Sequence, residues 1–198
     1  MDKEAYINKE WLTVQNYQFK ILVMIAVLAE NHLAYRGKLK DMCEFLGVAT
    51  SSYNRDKIKE AIEALSKKGD ILVLQQGQTW TLTLSTTAER KQRVIKIRNA
   101  WIRLIQQYEA VKKEDYIAWE NILKVLVYLI ADKAEVKTYN DISEALNIST
   151  KTVERAITAL DGIEFNDLSI KRKLAWFKNN KGEFRIKGQK IDVGYNFS

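Results

Sequence analysis

"YNDISEALNISTKTVERAITAL", residues 139–160, contains two short amphipathic stretches with a brief break between them. In the second, Val153, Ala156, Ile157 and Leu160 fall at i, i+3, i+4 and i+7, the spacing of one buried helix face. Ser149 suits the N-cap of that helix, because its hydroxyl can accept a free first-turn amide. Thr150, Lys151 and Thr152 stand ahead of the stripe, so the front of the helix is turned to something other than the core.

The same pattern occurs earlier in the chain. "LKDMCEFLGV" (39–48) lies over "YNDISEALNI" (139–148) at an offset of 100, with Asp41 over Asp141, Glu44 over Glu144 and Leu46 over Leu146. "KILVMIAVLAE" (20–30) lies over "ILKVLVYLIAD" (122–132) at an offset of 102. Ile58, Ala61, Ile62 and Leu65 repeat the stripe at an offset of 95, so the first copy holds extra residues within "ATSSYNRDK". Those residues either lengthen the third helix or form a loop.

Each half ends in strand-like text. "DILVLQQGQTWTLTL" (70–84) reads as a hairpin turning at Gln-Gln-Gly-Gln, preceded by the helix stop Lys67, Lys68, Gly69. "LSIKRKLAWFKNNKGEFRIKGQKIDVGYNF" (168–197) reads as a longer hairpin turning at Asn179 to Gly182, with room for a third strand after Gly188. The predicted fold is mainly α with small β-hairpins, an α+β chain in which three helices and a hairpin occur twice. The domains are 1–85 and 116–198, joined by 86–115. This joining segment lacks proline and glycine and carries a stripe of Val94, Ile97, Trp101, Leu104 and Tyr108, which predicts one long packed helix.

Composition limits the chemistry. The chain has 198 residues, 46% of them hydrophobic, enough for folded cores throughout. Its longest strongly apolar run, 21–29, is too short to cross a bilayer, and "MDKEAY" lacks the order of a signal peptide, so an intracellular, cytoplasmic protein without a membrane partner is expected. The single cysteine, Cys43, sits among Met42, Phe45 and Leu46 and reads as a packed thiol. The single histidine, His32, follows a helix end, where a capping role fits. Asp41, Glu44, Asp141 and Glu144 read as solvated helix faces, and no glycine-rich phosphate loop occurs. No catalytic residue, metal site or cofactor is expected.

Formal net charge is +7, which favours an anionic partner. More than half of that excess, +4, falls within 85–118, chiefly Arg90, Lys91, Arg93, Lys96, Arg98 and Arg103. Such a segment can lie along a DNA backbone, or pack its apolar stripe on a domain or on a second subunit. The densest cluster is Lys171, Arg172, Lys173, Lys178, Lys181, Arg185 and Lys187, with one acid, Glu183, among them. A ribbon of this kind can offer cations to phosphates, or guard its own edges against aggregation.

Each half resembles the winged helix-turn-helix superfamily: a core helix, a helix-turn-helix, then a β-hairpin wing. The text carrying the resemblance best is 139–160, similar to the bacterial form in which a short helix, a tight turn and an S-x-x-T-V-x-R helix follow one another. The resemblance implies that the third helix enters the DNA major groove, while the wing touches phosphate or the minor groove. By position it assigns Thr150, Lys151, Thr152 and Arg155 as readers in the second half, and Ser52, Asn54, Arg55 and Lys57 in the first, whose longer turn departs from the pattern. The cations of 171–187, with Arg93 and Lys96 in the joining segment, are then candidate phosphate contacts.

Two such domains in a short chain are similar in architecture to replication initiators of plasmids and mobile elements. Double-stranded DNA is the expected partner, and a homodimer remains an option. The competing readings are a transcription regulator and a protein-interaction module, the latter favoured for the first half by its nearly neutral charge and uncharged wing tip.

Overall fold

The structure, a computed structural model, describes residues 3–29, 34–85, 94–111, 117–131, 138–178 and 180–195, with backbone alone at 110–111, 171–177, 184–193 and 195. The fold is mixed α+β, and the chain divides into two units, Met1–Ala100 and Trp101–Ser198.

The first unit is built around α1 (Asn16–Leu28). Phe19 to Ala26 is apolar around the whole helix except at Lys20, and every side chain in this span is buried. A helix apolar on all sides needs cover on all sides. That cover comes from α2 (Leu39–Leu46), α3 (Ser52–Lys67) and the strands β1 (Glu4–Asn8), β2 (Ala34–Lys38) and β4 (Thr79–Leu84), while β3 (Ile71–Gln76) packs on α3. The predicted stripe of α3 is the buried one: Ile58, Ala61, Ile62 and Leu65. Full burial of each large member is worth about 1.5–3 kcal/mol. Lys20 is buried as well. Its Nζ donates to the Leu46 carbonyl at 3.5 Å and lies 6.0 Å from the Tyr17 ring, so the charge meets the carbonyl end of α2.

β3 and β4 form the expected hairpin around Gly77, which takes the left-handed conformation (φ +59°) that the turn requires. Short β2 precedes α2 and pairs with β4, giving a three-stranded sheet ordered β2-β4-β3. A second, separate ribbon joins β1 to β5 (Val94–Arg98) in antiparallel register, Ala5 opposite Ile97 and Ile7 opposite Ile95.

That ribbon corrects the expectation of one long helix over 86–115. Residues 94–98 are a strand, and helix α4 spans only Asn99–Val111. Val94, Ile95 and Ile97 are β-branched, and pairing with β1 satisfies their backbone while Ile97 becomes fully buried. The stripe read as helical had merged two elements: within α4 the most deeply buried residues are Trp101, Ile102 and Ile105.

In the second unit α5 (Trp119–Ala131) is the core helix, buried continuously from Ile122 to Ile130. α6 (Tyr139–Leu146) and α7 (Thr150–Gly162) pack on it, with Val153, Ala156, Ile157 and Leu160 inward as predicted. Trp101 at the start of α4 donates its indole N–H to Asp167 at 2.6 Å and meets Phe165 edge-on, which anchors α4 beside the loop after α7. β6 (Leu168–Lys178) and β7 (Phe184–Tyr195) close the unit. β7 runs unbroken through Gly188, so the third strand expected there does not form. The register steps instead: Ala175 faces Gly188 and Trp176 faces Ile186, which leaves Lys187 as a bulge.

Candidate nucleic-acid interface

The helix pairs α2/α3 and α6/α7 are held by matching devices. Asp41 accepts the Lys38 N–H at 2.8 Å, and Asp141 accepts the Thr138 N–H at 2.6 Å, while Thr138 Oγ1 accepts the Asp141 N–H at 3.1 Å. These two aspartates are exposed, as expected, and they also cap their helices, because a carboxylate at the third helical position reaches back to an otherwise orphan donor. Both first helices also end alike. Gly47 (φ +69°) and Asn147 (φ +52°) occupy the left-handed region, and Val48 and Ile148 donate back to Cys43 and Ser143 at 3.0 and 3.1 Å.

After this shared corner the two copies diverge. Residues 47–51 separate α2 from α3, against 147–149 between α6 and α7. α3 is 16 residues long and α7 is 13. The extra residues of the first copy therefore do both of the things the sequence allowed: they lengthen the turn and add to the helix. A serine opens each third helix, with Ser51 Oγ accepting the Asn54 N–H at 3.2 Å and Ser149 Oγ accepting the Thr152 N–H at 3.1 Å.

The fronts of the two helices differ in what they leave available. On α7, Thr150, Lys151 and Arg155 are exposed and have no hydrogen-bond or ion-pair partner among the described residues. Thr152 is half-buried, its hydroxyl 2.8 Å from Ser149 Oγ, so it completes the cap. On α3 the cations are engaged. Lys57 binds Glu60 at 2.8 Å, a contact that raises the lysine pKa through the hydrogen bond first and the carboxylate charge second. Arg55 Nε donates to the Ser51 carbonyl at 3.4 Å. Asn54 accepts from the Tyr17 hydroxyl at 3.2 Å and donates to the Ala49 carbonyl at 2.9 Å, tying α3 to α1 and to its own turn. Ser52 is exposed. Tyr53, absent from the expected readers, is 68% exposed with Lys57 Nζ 5.9 Å from its ring. The signal for it was an aromatic residue in the first turn of a helix, one position outside the apolar stripe.

The hairpin brings most of the remaining candidates onto two strands. Lys171, Arg172 and Lys173 lie on β6 opposite Asp192, Ile191 and Lys190, and Arg185 lies on β7 opposite Phe177. The pairing of position 171 with Asp192 adds an acid next to the cluster that linear spacing had left out. Lys178 and Lys181 flank the turn and are exposed, and Gly182 (φ +78°) shapes it. Lys96 on β5 pairs with Glu4 on β1 at 2.7 Å, so its charge is already partnered. Arg93 and His32 lie outside the described residues.

In two buried groups burial outweighs the charges that oppose it. Cys43 is fully buried, and burial pushes its thiol up against the opposing charge of Arg55. Lys124 is almost fully buried on α5, and burial brings it down to about 8 despite the Glu120 carboxylate one turn away. Among the described residues no His, Cys, Asp and Glu side chains gather into a metal-binding group, and no helix is long and apolar enough to cross a membrane. No protein-family model, curated protein or solved structure matches this chain.

Proposed function

We propose that the chain is a double-stranded DNA-binding protein with two tandem winged helices, whose second unit reads sequence through the front of α7 and grips the backbone with the β6–β7 hairpin. The observation that carries this reading is the pair Lys151 and Arg155, exposed and without a partner among the described residues, on a hydroxyl-capped helix that precedes a lysine- and arginine-rich hairpin. Free amides at the start of a helix attract phosphate, and an arginine one turn in can give guanine two parallel hydrogen bonds. The order of core helix, capped helix pair and hairpin in each unit supports the winged-helix assignment.

Among DNA-binding roles, two tandem units favour a replication initiator or origin-binding protein of a plasmid or mobile element. A transcription regulator is the alternative, since it uses the same chemistry. Selection of bound sequences from a random duplex pool separates the two: direct repeats support the initiator, and an isolated palindrome supports a dimeric regulator. Fluorescence anisotropy with mixed duplex tests the broader reading. Absence of binding at low salt sinks it.

The partnered cations of α3 favour a separate role for the first unit. With Lys57 held by Glu60 and Lys59 held by Asp56 at 3.0 Å, its third helix offers less uncompensated charge to phosphate than α7 does. This supports protein interaction there.

A further inference from the structure

When the buried stripes of α3 and α7 are aligned, Ile58 over Val153 and Leu65 over Leu160, their outward faces can be compared residue by residue. Asp56, Lys59 and Glu60 then lie against Lys151, Glu154 and Arg155, each with its charge reversed, and Glu63 lies against Thr158. On α3 these charges are held within the helix: Lys59 binds Asp56 at 3.0 Å, Lys57 binds Glu60 at 2.8 Å and Lys67 binds Glu63 at 3.0 Å. On α7 the counterpart of the Asp56–Lys59 pair, Lys151 and Glu154, stays open. Both residues are exposed, as are Arg155 and Thr158, and none of the four has a hydrogen-bond or ion-pair partner among the described residues. Acid before base suits the helix dipole and base before acid does not, which disfavours closure on α7. Glu154 also stands beyond the first turn, where the dipole would have rewarded a carboxylate. Beside DNA it repels phosphate, so it weakens binding unless a base offers it a donor.

We propose that Glu154 is a further specificity-determining residue, whose carboxylate accepts the N4 amino group of a cytosine within one base-pair step of the guanine taken by Arg155. This rests on the reading of α7 as the helix that enters the major groove. There cytosine presents a donor, whereas guanine and thymine present carbonyl oxygens that a carboxylate cannot bond. Adenine offers an amino group too, but its N7 acceptor lies beside it and repels the charge. Glu154 thus selects cytosine largely by excluding the other bases. The helix geometry suits a paired reading. At 3.6 residues per turn, Glu154 sits roughly 60° to one side of Lys151 and Arg155 roughly 40° to the other, with Thr158 between them two turns on. Glu154 and Arg155 therefore flank the outward line of α7, about 1.5 Å apart along its axis. From there an acceptor and a two-pronged donor can meet one G·C pair or two neighbouring ones.

The test selects bound sequences from a random duplex pool with the full chain and, in parallel, with Glu154→Gln and Glu154→Ala, whose thermal unfolding should match the parent because the position is exposed. The parent should select a cytosine within one step of a guanine. Glu154→Gln should move that preference to adenine, which glutamine meets with two hydrogen bonds, and Glu154→Ala should erase it while the guanine stays. By fluorescence anisotropy, replacing the selected C·G pair with T·A should weaken the parent at least roughly fivefold and leave Glu154→Ala unaffected. Glu164→Ala removes an exposed acid beyond the end of α7 and should change no preference. A selected site without the cytosine, a cytosine preference that survives Glu154→Ala, or the same change in Glu164→Ala overturns the proposal and leaves the reading role of α7 standing. An equal gain by Glu154→Ala on selected and random duplex overturns it too, because Glu154 then only repels phosphate. Failure of the parent to bind any duplex at low salt is a different result, and it removes this proposal together with the reading beneath it.

Discussion

Arg155 is the side chain on which the DNA reading turns, since it is exposed and unpartnered among the described residues. Arg155→Ala should cost about 1–3 kcal/mol on a selected site and far less on random duplex. Equal loss on both, measured by anisotropy, would mark a phosphate contact and remove its role in sequence discrimination. A second test concerns the two left-handed caps. At Gly47 a Cβ meets no neighbouring atom within 4 Å, so the cost of Gly47→Ala is the backbone conformation itself, about 1–2 kcal/mol. Asn147→Gly relieves the corresponding strain and should leave stability unchanged or slightly raised. Urea unfolding of both variants checks the pair, and an equal effect at the two positions would contradict the assigned roles.

At the scale of elements, the helices were legible because their stripes are regular: Ile58 to Leu65 and Val153 to Leu160 are buried as the spacing required. The β3–β4 hairpin was legible from its turn chemistry. β1, β2 and β5 were not. Each is five residues long, and such short segments do not separate a strand period from a helical one. Their identity comes from pairing between residues far apart in the chain, as when Glu4 meets Arg98 across the ribbon. The candidate site divides in the same way. Exposure of the α7 front follows from its own spacing, whereas the engagement of Asn54 depends on Tyr17 from another helix and has no local signal. Asn54→Ala should accordingly lower stability by about 1 kcal/mol and leave DNA affinity unchanged. A loss of affinity without a loss of stability would return Asn54 to the readers.

The whole molecule should answer to salt and to pH. DNA binding governed by the basic hairpin should weaken with a log-log salt slope of roughly −0.9 per phosphate neutralised. A slope near zero would remove the backbone-gripping role. The pH dependence of unfolding follows from two buried groups. Lys124 titrates near 8 in the fold, below the ordinary lysine value of 10.5, so the unfolded chain binds more protons between those limits and stability rises with pH there. Tyr35 is pushed up to about 12 from 10.0, by burial first and by the Asp41 charge second, so its contribution is full below 10 and is lost as pH climbs toward 12. Thermal unfolding scanned across pH should show a rise above 8 that Lys124→Met removes, and a fall above 10 that Tyr35→Phe removes. Persistence of either slope in its variant refutes that assignment.

The matched corners of the two helix pairs also make part of this chain interchangeable. Residues 38–48 and 138–148 have equal length, begin with the same carboxylate cap and end with the same left-handed reversal. The first eleven-residue cassette can thus be transplanted into the second position without insertion or deletion, if its core-facing side chains are matched to the host. The longer turn and helix that follow Val48 lie outside this cassette. A chimera with the first cassette in the second position keeps the turn, α7 and the β6–β7 hairpin of the second unit, so DNA affinity should survive the exchange if those are the elements that bind.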